Sequence, residues 1–144
     1  MARDPSHNSE RPTLFLIDGY ALIYRAFFAM IGRPLRTSRG ENTSAVWGVA
    51  NFLQRLFAEH HPTHVAWVHD SGSSFRSEVY EDYKATREKL DEEMQEDFDR
   101  SVERIGTLLN AYRVPLVEVE GYEADDVIGT LAARAAKRGF AVVI

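Results

Sequence analysis

The chain has 144 residues, of which 44% are hydrophobic; its formal net charge is −5 and it has no cysteine. This length and composition allow one globular domain with its own core, and the lack of cysteine excludes disulfides and thiolate metal sites. The apolar runs are too short to cross a bilayer or to serve as a secretory signal. We therefore expect a flexible tail over residues 1–12, one domain over 13–144, no membrane association and a cytoplasmic location.

The first half of the chain alternates short apolar runs with helical periodicity. The run TLFLI over 13–17 predicts a buried strand that ends in a turn at Asp18-Gly19. Residues 20–30 are apolar nearly all round, which predicts a helix packed on several sides. After a polar loop over 36–44, apolar residues recur at intervals of three and four up to Phe57, and this spacing predicts a second helix that ends near Pro62.

The segment HVAWVH over 64–69 predicts a second strand that leads directly into Asp70. Residues 71–97 are polar and heavily charged, so we expect an exposed arch with helical parts. Helical periodicity returns between Phe98 and Tyr112, and PLVEV over 115–119 predicts a third strand.

The last part of the chain predicts a helix over 124–138, with Gly139 as its C-terminal cap, followed by a fourth strand, FAVVI, over 140–144. Strands that alternate with helices of crossover length predict a three-layer α/β/α fold around a mainly parallel sheet. The fourth strand would end the sheet with little to cover it, and an exposed edge of this kind favours aggregation.

Acidic residues follow three of the predicted strands. Asp18 follows the first and Asp70 the second, and the third is followed by Glu120, Glu123, Asp125 and Asp126. The carboxyl ends of parallel strands face one edge of the sheet, where ligands bind, so these acids should gather there. Clustered carboxylates repel unless a cation neutralises them, and hard oxygen ligands select Mg²⁺ or Mn²⁺. The pattern predicts a divalent-metal site.

Structural explanations exist for individual acids. Asp18-Gly19 is a common turn pair, and Asp125 and Asp126 fall in the first turn of a predicted helix, where acids favour the positive end of the helix dipole. Capping explains one of these acids. It does not explain why Asp18 and Asp70 both stand at strand ends, and the combined pattern favours the metal site.

Basic and aromatic residues are also localised near the predicted carboxylate edge. The basic residues are Arg25, Arg33, Arg36, Arg39, Arg76, Lys84, Arg87 and Lys89, and Phe75, Tyr80 and Tyr83 lie among the last four. Cations interleaved with aromatic rings suit a single nucleic-acid strand. The overall charge of −5 argues against phosphate binding. However, acids gathered round a metal cation lower the net charge without opposing the binding of phosphate. The alternative is a solvated helical face with tyrosines that anchor a loop.

The histidines form a weaker pattern. His60, His61, His64 and His69 lie close together in the sequence but lack the spacing of a zinc site. We expect them to lie at the ends of a helix and a strand.

Four segments carry a family resemblance: LIDGYALIYRAFFA, TSRGENTSAVWGVANFL, VHDSGSSFRSEVYEDYKATR and VEGYEADDVIGTLA. In this order they resemble the motifs of the 5′ nuclease (flap endonuclease) family with a PIN-like fold, which includes the 5′→3′ exonuclease domain of bacterial DNA polymerase I. The resemblance extends over about 14–144, and GYEADD and the FR…YK…R pattern are its specific motifs.

The resemblance implies roles for individual residues. The acids that it implies for metal binding are Asp18, Asp70, Glu123, Asp125 and Asp126. The cations that it implies for catalysis are Arg25 and Lys84. The residues it implies for DNA binding are Arg25, Arg76, Tyr83, Lys84 and Arg87. The implied cofactors are two Mg²⁺ or Mn²⁺ ions in a complete domain, and the implied substrate is DNA with a 5′ flap or 5′ end, hydrolysed in primer removal and repair.

Two departures from the family pattern bear on this expectation. VHD over 68–70 stands where the family often has VFD, which puts a polar ring beside Asp70. The family also has further metal-binding aspartates and a helix-hairpin-helix element after the strand that begins near Phe140. We therefore expect a fold truncated after its fourth strand, with half of a two-metal centre. Any longer parent protein would supply the rest of the nuclease domain and a polymerase. The alternatives are an inactive DNA-binding fragment, a PIN-like ribonuclease and a receiver-like signalling domain.

Overall fold

The computed structural model describes residues 11–72 and 92–144. Within these ranges the elements are β1 (Thr13–Asp18), α1 (Gly19–Ala29), α2 (Ser44–His60), β2 (His64–His69), α3 (Glu92–Ala111), β3 (Leu116–Glu118), α4 (Ala124–Lys137) and β4 (Ala141–Val143). The strands form one sheet in the order β3-β2-β1-β4, and every pairing is parallel.

The sheet has a hydrophobic core on each face because successive side chains of a strand point to opposite sides. Ile17 and Trp67, which are paired in the register of β1 and β2, pack with α1, α2 and α3. Leu16, Ala66 and Val68 point the other way and pack against α4. Helices thus cover both faces, which confirms the predicted three-layer α/β/α architecture.

Several element boundaries differ from those predicted. No turn separates β1 from α1: Asp18 is the last strand residue and Gly19 the first helical one. Residues 92–97 belong to α3, so the end of the segment predicted as an arch is helical, while residues 73–91 of that segment lie outside the described residues. Gly139 has a φ of 89° and follows α4 as its predicted cap.

The parallel arrangement determines where the acidic segments lie. The carboxyl ends of β1, β2 and β3 share one edge of the sheet, and from this edge the chain continues into α1, the segment after Asp70, and α4. Strand β4 lies at one side of the sheet, where Ile144 is 77% exposed. In the described ranges, the helices are either too short or too polar to cross a bilayer.

Candidate metal centre

Asp18 connects β1 to α1 and caps the helix. Its Oδ1 accepts a hydrogen bond from the backbone N–H of Ala21 at 3.4 Å, which satisfies one of the free donors of the first turn. The pKa of Asp18 is raised above its ordinary 3.8, mainly by burial, although the bond from Ala21 lowers it. The negative charges of Asp70 and Asp125 raise it further. Acids from two other segments therefore act on Asp18 at this edge.

Asp70 connects β2 to α4. Its Oδ1 accepts a hydrogen bond from the backbone N–H of Ala124 at 2.6 Å. Ala124 is buried and is the first residue of α4, so Asp70 satisfies a helix donor that water does not reach. The N-cap residue itself, Glu123, makes no capping hydrogen bond with its side chain. Asp70 thus caps the start of α4, the helix that carries Asp125 and Asp126 in its first turn.

The acids of α4 lie around this hydrogen bond. Glu123 is half-buried at the N-cap, and Asp125 and Asp126 are exposed in the first turn. Among the described acids, the ones that shift the pKa of Asp18 are Asp70 and Asp125. The charges of Asp70 and Asp125 therefore reach Asp18, and Glu123 and Asp126 lie close to Asp125 along α4.

The opposite face of β2 supports the start of α1 with two rings. Trp67 and His69 are both buried, and the indole Nε1–H of Trp67 donates a hydrogen bond to His69 Nε2 at 2.8 Å. The His69 ring stacks on Tyr20 with the ring centroids 4.2 Å apart. A side chain at Gly19 would collide with both rings, since its Cβ would lie 2.7 Å from Trp67 Cδ1. Glycine is required here by close packing.

Burial disfavours the charged form of the His69 imidazole. Burial lowers the pKa of its imidazole below the usual 6.5, although the negative charges of Glu118 and Asp70 oppose this effect. The sequence pattern predicts a strand-end histidine and assigns His69 no role. Its position two residues after Trp67, on the same strand face and directly before Asp70, is the signal that could have drawn attention to it.

The chemistry of the cluster fits a hard divalent cation. Among the residues described, no three acidic or imidazole side chains are already arranged around a single point as metal ligands. However, Asp18, Asp70 and Asp125 supply carboxylate oxygens from three segments, and the pKa of Asp18 is raised first by burial and then by the charges of Asp70 and Asp125. None of the ion pairs between described residues involves Asp18, Asp70 or Asp125. A divalent cation would relieve the remaining repulsion.

The basic residues fall into three groups. Arg25 is exposed in a groove between α1 and α2 that Trp47 also lines, and it forms no ion pair with a described acid. Arg36 is engaged by a 3.2 Å ion pair with Asp97, so the α1–α2 loop is attached to α3. The residues predicted to bind DNA or act in catalysis that lie outside the described ranges are Arg76, Tyr83, Lys84 and Arg87.

Comparison with known proteins identifies the class. Residues 13–144 match the family described as 5'-3' exonuclease, N-terminal resolvase-like domain, and the chain belongs to this family. It is 48% identical to DNA polymerase I of Chloroflexus aurantiacus over 133 residues, and this match covers 92% of this chain and 14% of the relative. It is 45% identical over 132 residues to DNA polymerase I of Geobacillus stearothermophilus, covering 91% of this chain and 14% of the relative. DNA polymerase I of Mycobacterium tuberculosis is 36% identical over 144 residues, covering 99% of this chain and 16% of the relative.

These comparisons confirm the resemblance to the exonuclease domain that precedes the polymerase in DNA polymerase I. The chain spans only 14–16% of the length of these relatives, so the activity of such a whole protein does not transfer to it directly.

Proposed function

We propose that this chain forms part of a divalent-metal-dependent 5′ nuclease, which hydrolyses phosphodiester bonds of DNA at 5′ ends and in 5′ flaps. One observation carries the proposal: acids follow two parallel strands and begin α4 at one edge of the sheet, and burial together with the charges of Asp70 and Asp125 raises the pKa of Asp18. An acid whose pKa is shifted by burial and by neighbouring charges is typical of sites that bind metal or act in catalysis. Membership of the 5'-3' exonuclease family supports the same assignment.

In the proposed site, Asp18, Asp70 and Asp125 hold Mg²⁺ or Mn²⁺ together with Glu123 and Asp126, some of them through water. A bound ion would neutralise the phosphate and activate water for an in-line displacement. Asp18 is oriented for this role by its bond with Ala21, and Asp70 by its bond with Ala124. A second ion would take further ligands from a longer chain.

The proposed substrate contacts are cationic. Arg25 is exposed and not paired with a described acid, so its guanidinium can bind a phosphate through two parallel hydrogen bonds. Arg76, Tyr83, Lys84 and Arg87 are proposed from the family motif to bind the 5′ strand, with Lys84 joining Arg25 in catalysis. Within a longer parent that carries a polymerase, as in the relatives, this activity would remove primers and serve repair.

The proposal is tested by cleavage of an end-labelled 5′-flap DNA in the presence of Mg²⁺ or Mn²⁺, with the chain alone and within a longer parent protein. We expect Asp18→Ala and Asp126→Ala to abolish metal-dependent cleavage by the longer protein. Asp99→Asn is a matched control because Asp99 is an exposed acid on α3 that accepts a hydrogen bond from Gln95, away from the cluster. Unchanged cleavage by Asp18→Ala would contradict the proposal.

The same assay separates the alternatives. Cleavage of single-stranded RNA in preference to flap DNA would indicate a PIN-like ribonuclease. Binding of flap DNA by the longer protein without metal-dependent cleavage would indicate an inactive DNA-binding protein.

A further inference from the structure

We propose that Trp67 and His69 act as a positioning pair, which supports the backbone segments that carry Asp18 and Asp70 and so keeps both carboxylates available to a divalent cation. This inference rests on the proposed function. It concerns two residues that lie behind the carboxylates and that would not touch the ion or the DNA.

The two rings are joined by a buried hydrogen bond. Trp67 is 0% exposed and His69 is 5% exposed, and the N–H of one ring donates to the nitrogen of the other at 2.8 Å. Within the described ranges, every buried side-chain nitrogen and oxygen has a partner. If either ring were replaced by an apolar one, a buried polar group would lose the partner it has here. The hydrogen bond therefore fixes how both rings lie on β2.

The start of α1 rests directly on this pair. The two rings occupy the space that a side chain at Gly19 would need, and His69 stacks on Tyr20 with an interplanar angle of 27°. Gly19 and Tyr20 form the first turn of α1, whose N-cap is Asp18. A shift of either ring would therefore displace the turn that orients the Asp18 carboxylate.

The same pair lies next to the second carboxylate. Asp70 directly follows His69 in the chain, and Asp18 directly precedes Gly19. Val68, between the two rings, is paired with Asp18 in the parallel register of the sheet. The rings thus link the backbone segments that carry both acids, so their packing supports both carboxylates.

Groups behind the ligands commonly control metal affinity, and their mutation weakens it by roughly 10 to 100-fold. Mg²⁺ demands near-ideal octahedral geometry, so it tolerates a misplaced carboxylate less than a more adaptable ion does. Loss of the Trp67–His69 hydrogen bond should therefore weaken metal binding without removing any ligand.

The experiment is a calorimetric titration of the chain with MnCl₂ and with MgCl₂. His69→Phe keeps an aromatic ring but deletes the Nε2 acceptor together with Nδ1, and we expect about tenfold weaker Mn²⁺ binding with a larger loss for Mg²⁺. His69→Gln, whose side-chain oxygen can accept the indole N–H, should restore most of the affinity. Trp67→Phe removes the donor instead and should weaken binding as His69→Phe does, which keeps the test valid if His69→Phe fails to fold.

Two controls separate the outcomes. Ile105→Val removes a methylene from α3 in the same core cluster and leaves the two rings and every acid unchanged, so it should lower the melting temperature without changing metal affinity. Asp18→Asn should abolish binding. If Asp18→Asn binds as the wild type does, or if the wild type binds neither ion, both the proposed metal site and the positioning role are overturned. If binding is lost in Asp18→Asn but unchanged in His69→Phe, or if Ile105→Val weakens it equally, only the positioning role is overturned.

Discussion

The carboxylate of Asp70 accepts a 2.6 Å hydrogen bond from the backbone N–H of Ala124, so an acid at the end of β2 caps a helix that begins 54 residues later. This bond joins two of the three segments that form the carboxylate cluster. It also gives Asp70 a structural role that is separable from any role of its charge.

Substitution of Asp70 should separate these two roles. Asp70→Ala leaves the buried Ala124 N–H without its acceptor, and we expect a loss of about 1 kcal/mol in the free energy of unfolding. Asp70→Asn keeps an oxygen in place and relieves repulsion with Asp18, so its stability should match or exceed that of the wild type. Urea unfolding without metal measures both. Equal stability of the two variants would contradict the capping role, and metal-dependent cleavage by a longer parent protein should be lost in each.

The raised pKa of Asp18 predicts a stability that depends on pH. Because the pKa is higher in the folded chain than the unfolded value of 3.8, ionised Asp18 opposes folding. This cost is absent below the unfolded pKa and appears as the pH rises through the folded pKa. Asp18→Asn cannot ionise but can still accept the N–H of Ala21, so it should be more stable than the wild type near neutral pH.

The measurement is the free energy of unfolding of wild type and Asp18→Asn in a chelating buffer, from neutral pH downwards. The advantage of the variant should shrink as the pH falls through the folded pKa of Asp18. An advantage that is constant with pH, or a less stable variant at neutral pH, would be inconsistent with repulsion at this site.

The lowered pKa of His69 predicts that stability also depends on pH over a second range. Above the unfolded value of 6.5 the imidazole is neutral in both states, and its contribution to stability is complete. As the pH falls from there to the lower folded pKa, the unfolded chain takes up a proton that the folded chain does not, so stability is lost. The stability of His69→Gln should therefore fall less steeply than that of the wild type across this window. Parallel curves would show that burial does not suppress protonation of His69.

Gly19 and Gly129 form a matched pair of helical glycines. Gly19→Ala places a methyl group against Trp67 and His69, and such overpacking should cost about 1–3 kcal/mol. Gly129→Ala meets no atom within 4 Å and lies in the exposed interior of α4, so it should stabilise the chain by about 0.5–1 kcal/mol. Thermal unfolding of the two variants checks both signs, and a stabilised Gly19→Ala would show that the rings can move away from α1.

Much of the fold could be predicted because its signals are local. The apolar run over 64–69 coincides with β2, and the periodicity before Gly139 predicts α4 to within one residue of its observed end. The rule that parallel strands end at one edge was enough to expect Asp18 and Asp70 close to the acids of α4. Those features depend on the period of side chains along an element and not on distant contacts.

The remaining features depend on contacts between residues far apart in sequence. The sequence places Arg36 on the carboxylate side with the other cations but does not predict its ion pair with Asp97, which depends on the packing of a loop against α3, 61 residues away. The bond between Asp70 and Ala124 likewise requires the order of the strands and the placement of α4. The Asp18-Gly19 pair has the local chemistry of a turn, and only the rings of Trp67 and His69 behind it reveal why a helix starts there at glycine.

The capping bond of Asp70 also bears on how a cation would be received. Oδ1 accepts the hydrogen bond from the helix, and Oδ2 accepts none from a described residue, so in the proposed site Oδ2 is the oxygen that would receive the cation. The carboxylate is thereby preorganised before any ion arrives. Less conformational entropy would be lost on binding, and α4 would remain attached to β2 each time an ion left the site.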